Sequence, residues 1–342
     1  MKKEIIGNAT LYLADCFDIM PKMADQSVDI IMTDPPYCNV VRQQWDIFKS
    51  LYDYQSFVTV CRDEFWRILK NNGSFYWFGD EKNIAYSQVI FDQCFNLINP
   101  LVWHKICTLC KKGVRRLRSY ATMTERILFY DKGERKSGLA MVHNRPDCFK
   151  SIKNYMRGEK EKVKKAKGLN DKQFNDYVNK LTGTKSVVSK HYFSDSQYVF
   201  PTAENYKKLQ KSGFFKRPYD GMKGEYCGLK EEYQSLRAEY ENLRRPWTPD
   251  KKAEDVLYYP TVPARYHETQ KPEKLIRYLL ERSSRSGQTV FDPFMGSGTT
   301  GVACSVLGLN FIGIEREQRY FDAACFRIEQ SIKESKKHIG NV

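Results

Sequence analysis

Val28-Asp29-Ile30-Ile31-Met32-Thr33-Asp34-Pro35-Pro36-Tyr37 decides how this 342-residue chain folds. The run up to Met32 reads as a strand buried in a parallel sheet. Neither proline can donate to a ladder, so the strand ends before them. The loop beyond sits at the carboxyl edge of the sheet, where open α/β folds bind ligands. It carries one carboxylate, a stiff backbone and one flat ring. Asp34 can accept from an amino group, and Tyr37 can stack on the base that bears it. Taken alone, the four loop residues fit a plain strand-ending turn equally well.

A second motif shifts that balance. Thr289-Val290-Phe291-Asp292-Pro293-Phe294-Met295-Gly296-Ser297-Gly298-Thr299-Thr300 is a short apolar strand, a tight glycine loop and the start of a helix over 299–307. Glycines there permit positive φ and close approach of backbone to a ligand. The helix start offers unpaired N–H groups to a carboxylate. Asn310-Phe311-Ile312-Gly313-Ile314-Glu315 reads as the next strand, with an acid placed to take a ribose hydroxyl pair. The loop is not GxGxxG and no phosphate-binding lysine follows it. The ligand expected is a nucleoside without a pyrophosphate.

The rest of the chain alternates in the same way. Strands are expected over 10–14, 28–32, 74–78, 97–105 and 125–130. Helices are expected over 17–23, 53–69, 83–94, 271–283 and 317–337. The 53–69 helix puts Phe57, Val60, Cys61, Phe65 and Ile68 on one stripe and ends at Asn71-Asn72-Gly73. Pro272 opens the 271–283 helix in its first turn. Alternating strands and helices predict an α/β fold, a doubly wound, mostly parallel Rossmann-like sheet with helices on both faces.

Together these motifs resemble the S-adenosylmethionine-dependent DNA amino-methyltransferases of bacteria, whose catalytic motif is DPPY and whose cofactor motif is FxGxG. His267-Glu268-Thr269-Gln270-Lys271-Pro272 resembles a further motif of that family, HxTQKP. Gly73-Ser74-Phe75-Tyr76-Trp77-Phe78 and Thr124-Glu125-Arg126-Ile127-Leu128-Phe129-Tyr130 resemble two of its strands. The catalytic motif comes first, with a long insert before the cofactor motif. That order resembles the β class, a circular permutation of the fold. The resemblance divides the chain into a catalytic half over 1–135, an inserted target-recognition region over 136–257 and a cofactor-binding half over 258–342.

The resemblance also implies roles. Asp34, Pro35, Pro36 and Tyr37 are the catalytic set. Asp34 and the Pro35 carbonyl accept from the amino group of a flipped-out base, and Tyr37 stacks on it. An Asp with a Tyr favours adenine N6, with cytosine N4 the alternative. S-adenosyl-L-methionine is the implied cofactor. Asp15, Asp34, Thr269, Lys271, Asp292, Phe294, Gly296, Ser297, Gly298, Thr299, Thr300 and Glu315 would contact it. Of these, Glu315 would take the ribose, Asp292 would lie near the methionine part, and Thr269 and Lys271 would take its carboxylate. Asp15 would take the cofactor's adenine, though it serves equally as a helix N-cap.

Charge points to a polyanionic partner. The chain carries 56 Lys+Arg against 41 Asp+Glu, a formal net charge of +15. Between Arg145 and Lys252 stand 25 basic and 14 acidic residues, so most of the excess lies in the insert. Basic surfaces gain affinity for duplex DNA through counterion release. Lys162, Lys164 and Lys165 form a run that is either a phosphate contact or a solvated face. Arg115, Arg116 and Arg118 lie in a loop between core strands, close to the catalytic half. The insert's aromatics, among them Tyr192, Phe193, Tyr198, Phe200, Phe214, Phe215 and Tyr219, fit a small core better than base stacking. Leu229, Tyr233, Leu236, Tyr240 and Leu243 keep a heptad spacing, suited first to intramolecular packing.

The remaining expectations are brief. Cys107 and Cys110 have CxxC spacing, but no second pair completes a zinc quartet, and no metal is expected. No stretch has the length of a membrane span and no signal peptide is evident. A cytoplasmic location is therefore expected, with no membrane partner and with reduced cysteines. The resemblance leaves room for a homodimer and for a separate restriction endonuclease partner. An RNA amino-methyltransferase and a catalytically idle DNA-binding regulator are the rivals. Against the latter, Asp34, Gly296, Gly298 and Glu315 are all present.

Overall fold

A computed structural model describes residues 2–40, 43–106, 120–132, 149–184, 188–194, 198–243, 245–248, 254–263 and 265–339. The chain separates into two compact units, Met1–Ala140 with Arg244–Val342, and Met141–Leu243.

The first unit is built on one nine-stranded sheet: β1 (Lys2–Ile6), β2 (Ala9–Leu13), β3 (Val28–Thr33), β4 (Leu69–Gly79), β5 (Asn96–Lys105), β6 (Thr124–Asp131), β7 (Val256–Tyr259), β8 (Thr289–Asp292) and β9 (Asn310–Glu315). The spatial order is β1-β2-β9-β8-β3-β4-β6-β5-β7. From β2 to β4 every neighbour is parallel. The flanks differ, because β1 runs antiparallel to β2, and β6 runs antiparallel to both β4 and β5. All six residues of β3 are buried, as a strand with parallel partners on both sides and helices on both faces requires.

The helices α1 (Cys16–Ile19), α2 (Leu51–Ile68) and α3 (Ile84–Phe91) pack with Val28, Ile31, Phe75 and Trp77 in one core cluster. The other cluster joins Ile30, Met32, Tyr76 and Val290 to helices from the C-terminal segment. Those helices are α9 (Glu273–Ser283), α10 (Thr299–Leu307) and α11 (Gln318–Ile339). This is the doubly wound α/β arrangement.

Several local expectations change. β1 was not expected; Gly7, at φ +58°, and Asn8 turn it back along β2. The helix over 53–69 runs from Leu51 to Ile68 and buries Tyr54, Val58, Cys61, Phe65 and Ile68, while Val60 is 46% exposed. Ser50 caps it by accepting from the Asp53 N–H at 3.1 Å. Asn71-Asn72-Gly73 does not terminate this helix but lies inside β4, where the register against β3 shifts between Val28 and Ile30. A Cβ on Gly73 would stand 2.9 Å from the Asp29 carbonyl oxygen, so the irregular segment needs glycine. Pro272 is the N-cap of α9 rather than a first-turn residue.

The second unit is helical: α4 (Lys150–Lys167), α5 (Asp171–Thr182), α6 (Val188–His191), α7 (Ala203–Gln210) and α8 (Tyr219–Leu243). Asn170 and Gln173 close a reciprocal capping box at the start of α5. Ile152, Met156, Val163, Phe174, Val178, Tyr206 and Leu209 form its core with Tyr192, Phe193 and Phe215, and Tyr198, Phe200, Phe214, Tyr219 and Leu229 pack against it. The aromatics of this region build its interior. Among the described residues, no helix is long and apolar enough to cross a membrane.

Phe65 is fully buried on α2 and its ring centroid lies 5.9 Å from Phe75, 6.1 Å from Trp77 and 6.3 Å from Phe91. Phe65→Ala should therefore destabilise the chain by about 3–5 kcal/mol through lost contacts and a residual cavity. Urea denaturation checks this, and an unchanged midpoint would show that the cluster can collapse around the gap.

Candidate active site

β3 and β8 are parallel neighbours, with Ile30 opposite Val290 and Ile31 opposite Phe291. Their carboxyl ends therefore deliver the Asp34 loop and the Gly296 loop to one side of the sheet. Both loops line a single cavity of about 470 Å³, a size suited to a nucleoside-sized ligand.

The Asp34-Pro35-Pro36-Tyr37 loop is held from behind. Asp46, fully buried, accepts from the Tyr37 N–H at 2.5 Å and from the Val40 N–H at 2.7 Å. The Asn83 side-chain amide donates to the carbonyls of Tyr37 and Cys38 at 2.7 and 3.2 Å. These bonds fix the turn after the prolines, where Cys38 and Asn39 adopt φ of +68° and +63°.

Asp34 faces a cluster of charges. Its Oδ1 accepts from the Tyr37 hydroxyl at 2.5 Å and its Oδ2 from Lys271 Nζ at 2.5 Å. Lys271, expected at the cofactor carboxylate, lines the cavity and is buried between Asp34 and Glu125, whose Oε2 lies 3.4 Å away. Glu125 Oε1 also meets Lys105 Nζ at 2.5 Å. Burial alone would lower the Lys271 pKa, but Asp34 and Glu125 raise it above the usual lysine value. Burial acts to raise the Glu125 carboxyl, and Lys271 and Lys105 overcome it, holding the group below the usual range. The Tyr37 hydroxyl is pushed well up by burial and by the two carboxylates. In the sequence, Glu125 and Lys105 lie on expected strands and carry no signal of a role at the site.

Beyond β8, the loop turns at Gly296 and Gly298, with φ of +51° and +77°. A Cβ on Gly298 would lie 2.8 Å from the Ala324 Cβ, so that position needs glycine both for its backbone and for the approach of α11. Arg327 of α11 braces the loop, donating to the Ser297 carbonyl at 2.6 Å, to Ser297 Oγ at 3.0 Å and to Thr299 Oγ1 at 3.2 Å. Glu315, at the end of β9, accepts from the N–H groups of Gly296 and Glu317 at 3.0 and 2.7 Å. Burial raises its carboxyl. Phe294 packs on Phe57, with centroids 5.6 Å apart.

The other expected residues fall as follows. Thr269 Oγ1 lies 3.1 Å from His267 Nδ1. Asp15 caps α1, accepting from the Phe17 N–H at 2.9 Å, and also lines the cavity. Lys162 pairs with Glu159, and Lys164 with Glu161 and Asp171, while Lys165 is exposed. Arg115, Arg116, Arg118, Cys107 and Cys110 lie outside the described residues. Among the described residues, no group of three or more His, Cys, Asp or Glu side chains is arranged to hold a metal.

Asp292 is buried and accepts from the Phe294 N–H at 3.1 Å and from Thr300 Oγ1 at 2.7 Å. Burial outweighs these bonds and pushes its carboxyl up to about 7. The unfolded carboxyl ionises near ~3.9, so the folded chain keeps a proton that the unfolded chain has released. Its contribution therefore favours folding at low pH and declines as pH rises towards about 7. The neutral Asp292→Asn side chain lacks that decline. Its stability relative to the parent should rise across this window, by an amount read from urea denaturation at a series of pH values. A difference constant with pH would contradict the raised pKa.

Type II methyltransferase M.HinfI of Haemophilus influenzae is 25% identical over 348 residues, covering 96% of this chain and 71% of the relative. A crystal structure of an M1.HpyAVI–SAM complex is similar with a TM-score of 0.51 at 18% identity, covering 94% of this chain and 98% of that one. The PvuII DNA methyltransferase, described as cytosine-N4-specific, is similar with a TM-score of 0.52 at 14% identity, covering 98% of this chain and 94% of that one. At such identities the two structures establish the fold. Residues 28–326 match the DNA methylase family of N6 and N4 methyltransferases, and the chain belongs to that family.

Proposed function

We propose that the chain methylates the exocyclic N6 of an adenine flipped out of duplex DNA at a specific site. The observation that carries this reading is the placement of Asp34 and the Gly296–Gly298 loop on one cavity. S-adenosyl-L-methionine is the methyl donor, and when bound it supplies an electrophilic methyl whose sulfur leaves with the bonding electrons. The site fits that group. The carboxylate of Glu315 suits ribose hydroxyls, and the unpaired N–H groups at the start of α10 suit a carboxylate. Thr269, Ser297, Thr299 and Thr300 supply neutral polar groups beside them. Asp15 and Phe294 line the same cavity, and buried Asp292 sits beneath the loop.

An adenine amino group is a poor nucleophile because its lone pair is delocalised into the ring. Asp34 and the Pro35 carbonyl accept its two hydrogens and turn the lone pair toward the methyl. Pro35 and Pro36 keep those acceptors in place, which is catalysis by positioning. Tyr37 supplies a flat face for the base, and Asp34 is the nearest acceptor for the proton released after transfer. Extruding the base costs a few kcal/mol. Adenine rather than cytosine rests on the Asp34–Tyr37 pattern. The order, with Asp34 before Gly296, is that of the permuted β class. Its compact fold and the basic excess of the insert support target recognition by the unit over 141–243.

Single-molecule sequencing of DNA from cells expressing the chain tests this, with Asp34→Ala as control. A modified adenine in one short motif, absent from the control, is expected. A modified cytosine would reverse the choice of base. A modification that persists in the control would remove the acceptor role from Asp34. Cofactor affinity in Asp34→Ala should stay within about threefold, since its loss removes a transition-state contact.

A further inference from the structure

Glu125 does not belong to the set of residues assigned to the base or the cofactor, yet it contacts two of them. Its Oε2 lies 3.2 Å from the Tyr37 hydroxyl and 3.4 Å from Lys271 Nζ, and its Oε1 lies 2.5 Å from Lys105 Nζ. We propose that Glu125 is a positioning residue that sets the acceptor strength of Asp34 through Lys271 and Tyr37. The inference rests on Asp34 being the acceptor for the base.

The reasoning is electrostatic. Asp34 has two donors on its two oxygens, a phenol and an ammonium, both at 2.5 Å. Each withdraws electron density from the carboxylate that must receive the amino hydrogens. A buried ammonium facing Asp34 alone would hold that carboxylate tightly and weaken it as an acceptor. Glu125 shares both donors. It draws on the same ammonium, and it offers the single Tyr37 proton a second acceptor. Lys105 neutralises the remainder, so Asp34, Glu125, Lys105 and Lys271 together carry no net charge. Side-chain exposures of 25% for Asp34, 14% for Glu125, 23% for Lys105 and 6% for Lys271 place this balance where water screens it poorly.

The strands impose the arrangement. β5 and β6 run antiparallel, with His104 opposite Thr124 and Trp103 opposite Glu125. Lys105 at the end of β5 and Glu125 near the start of β6 therefore reach the same edge of the sheet. β6 lies next to β4 and β4 next to β3, so that edge adjoins the Asp34 loop.

Glu125→Gln keeps the shape and removes the charge. Single-turnover transfer of labelled methyl from S-adenosylmethionine to unmodified genomic DNA is measured for the parent, Glu125→Gln and the double variant Glu125→Gln with Lys105→Met. Loss of the charge should slow transfer by about tenfold or more while KM for the cofactor and for DNA stays within about threefold. The double variant, neutral again as a cluster, should recover several-fold over Glu125→Gln. A purely structural role predicts instead that the second substitution adds to the first. Parental rates in Glu125→Gln, or a double variant no faster than it, would overturn the inference and leave the function intact. A parent that methylates no DNA would remove the functional reading and this inference with it.

Discussion

The parallel pairing of β3 with β8 is the constraint on which the site depends. It brings residues far apart in the chain into one ladder, with Ile30 beside Val290 and Ile31 beside Phe291. Because parallel strands share a direction, their carboxyl ends open on the same side. The proline-stiffened turn and the glycine turn therefore become walls of one cavity rather than features of two separate edges. Helices on both faces then bury every residue of β3, its two polar side chains Asp29 and Thr33 included. Asp29 satisfies itself at the far end, accepting from Lys70 Nζ at 2.8 Å and from the Thr289 N–H at 3.0 Å.

The ion pair of Asp34 with Lys271 ties the loop after β3 to the segment ahead of α9 as well, now through side chains. A charge removed from water is tolerated when it is paired and hydrogen-bonded. Here the pairing extends to Glu125 and Lys105, so that four strands or their loops meet in one electrostatic unit. The shape of the cavity wall and its local stability are consequently carried by the same atoms.

Much of this was legible in the sequence, and the reason is local. A buried strand followed by two prolines, or by Gly-Ser-Gly, states its own conformation within ten residues. The expected parallel core and the two loops on one edge follow from such signals. Partners across the fold leave no such trace. Lys271 reads as the polar start of a helix and a partner for the cofactor carboxylate, and only the fold shows its pairing with Asp34. Glu125 reads as the start of a strand, and Arg327 as one more charge on a polar helix. The error over Asn71-Asn72-Gly73 has a similar origin. Those residues favour a helix stop in isolation, but the sheet absorbs them as an irregularity beside Asp29. Val60 was placed inside because its spacing fits the stripe, whereas α2 rotates to bury Tyr54 and Val58 instead. Arg115, Arg116 and Arg118 remain outside what the structure describes.

The order of strands bears on how the chain is made. β3 takes β4 as one neighbour soon after synthesis, but its other neighbour, β8, follows only after residues 34 to 288 have been added. At bacterial or slower elongation rates that interval is roughly tens of seconds. Throughout it, a strand whose six residues are all buried in the finished sheet presents an open edge of unpaired N–H and C=O groups, a template for pairing with another nascent chain. Until β8 emerges, the N-terminal half of the nascent chain is open to edge-to-edge pairing on that side of β3. A gene order that placed β8 and β9 ahead of β3 would shorten that exposure while leaving the same spatial order of strands in the finished sheet.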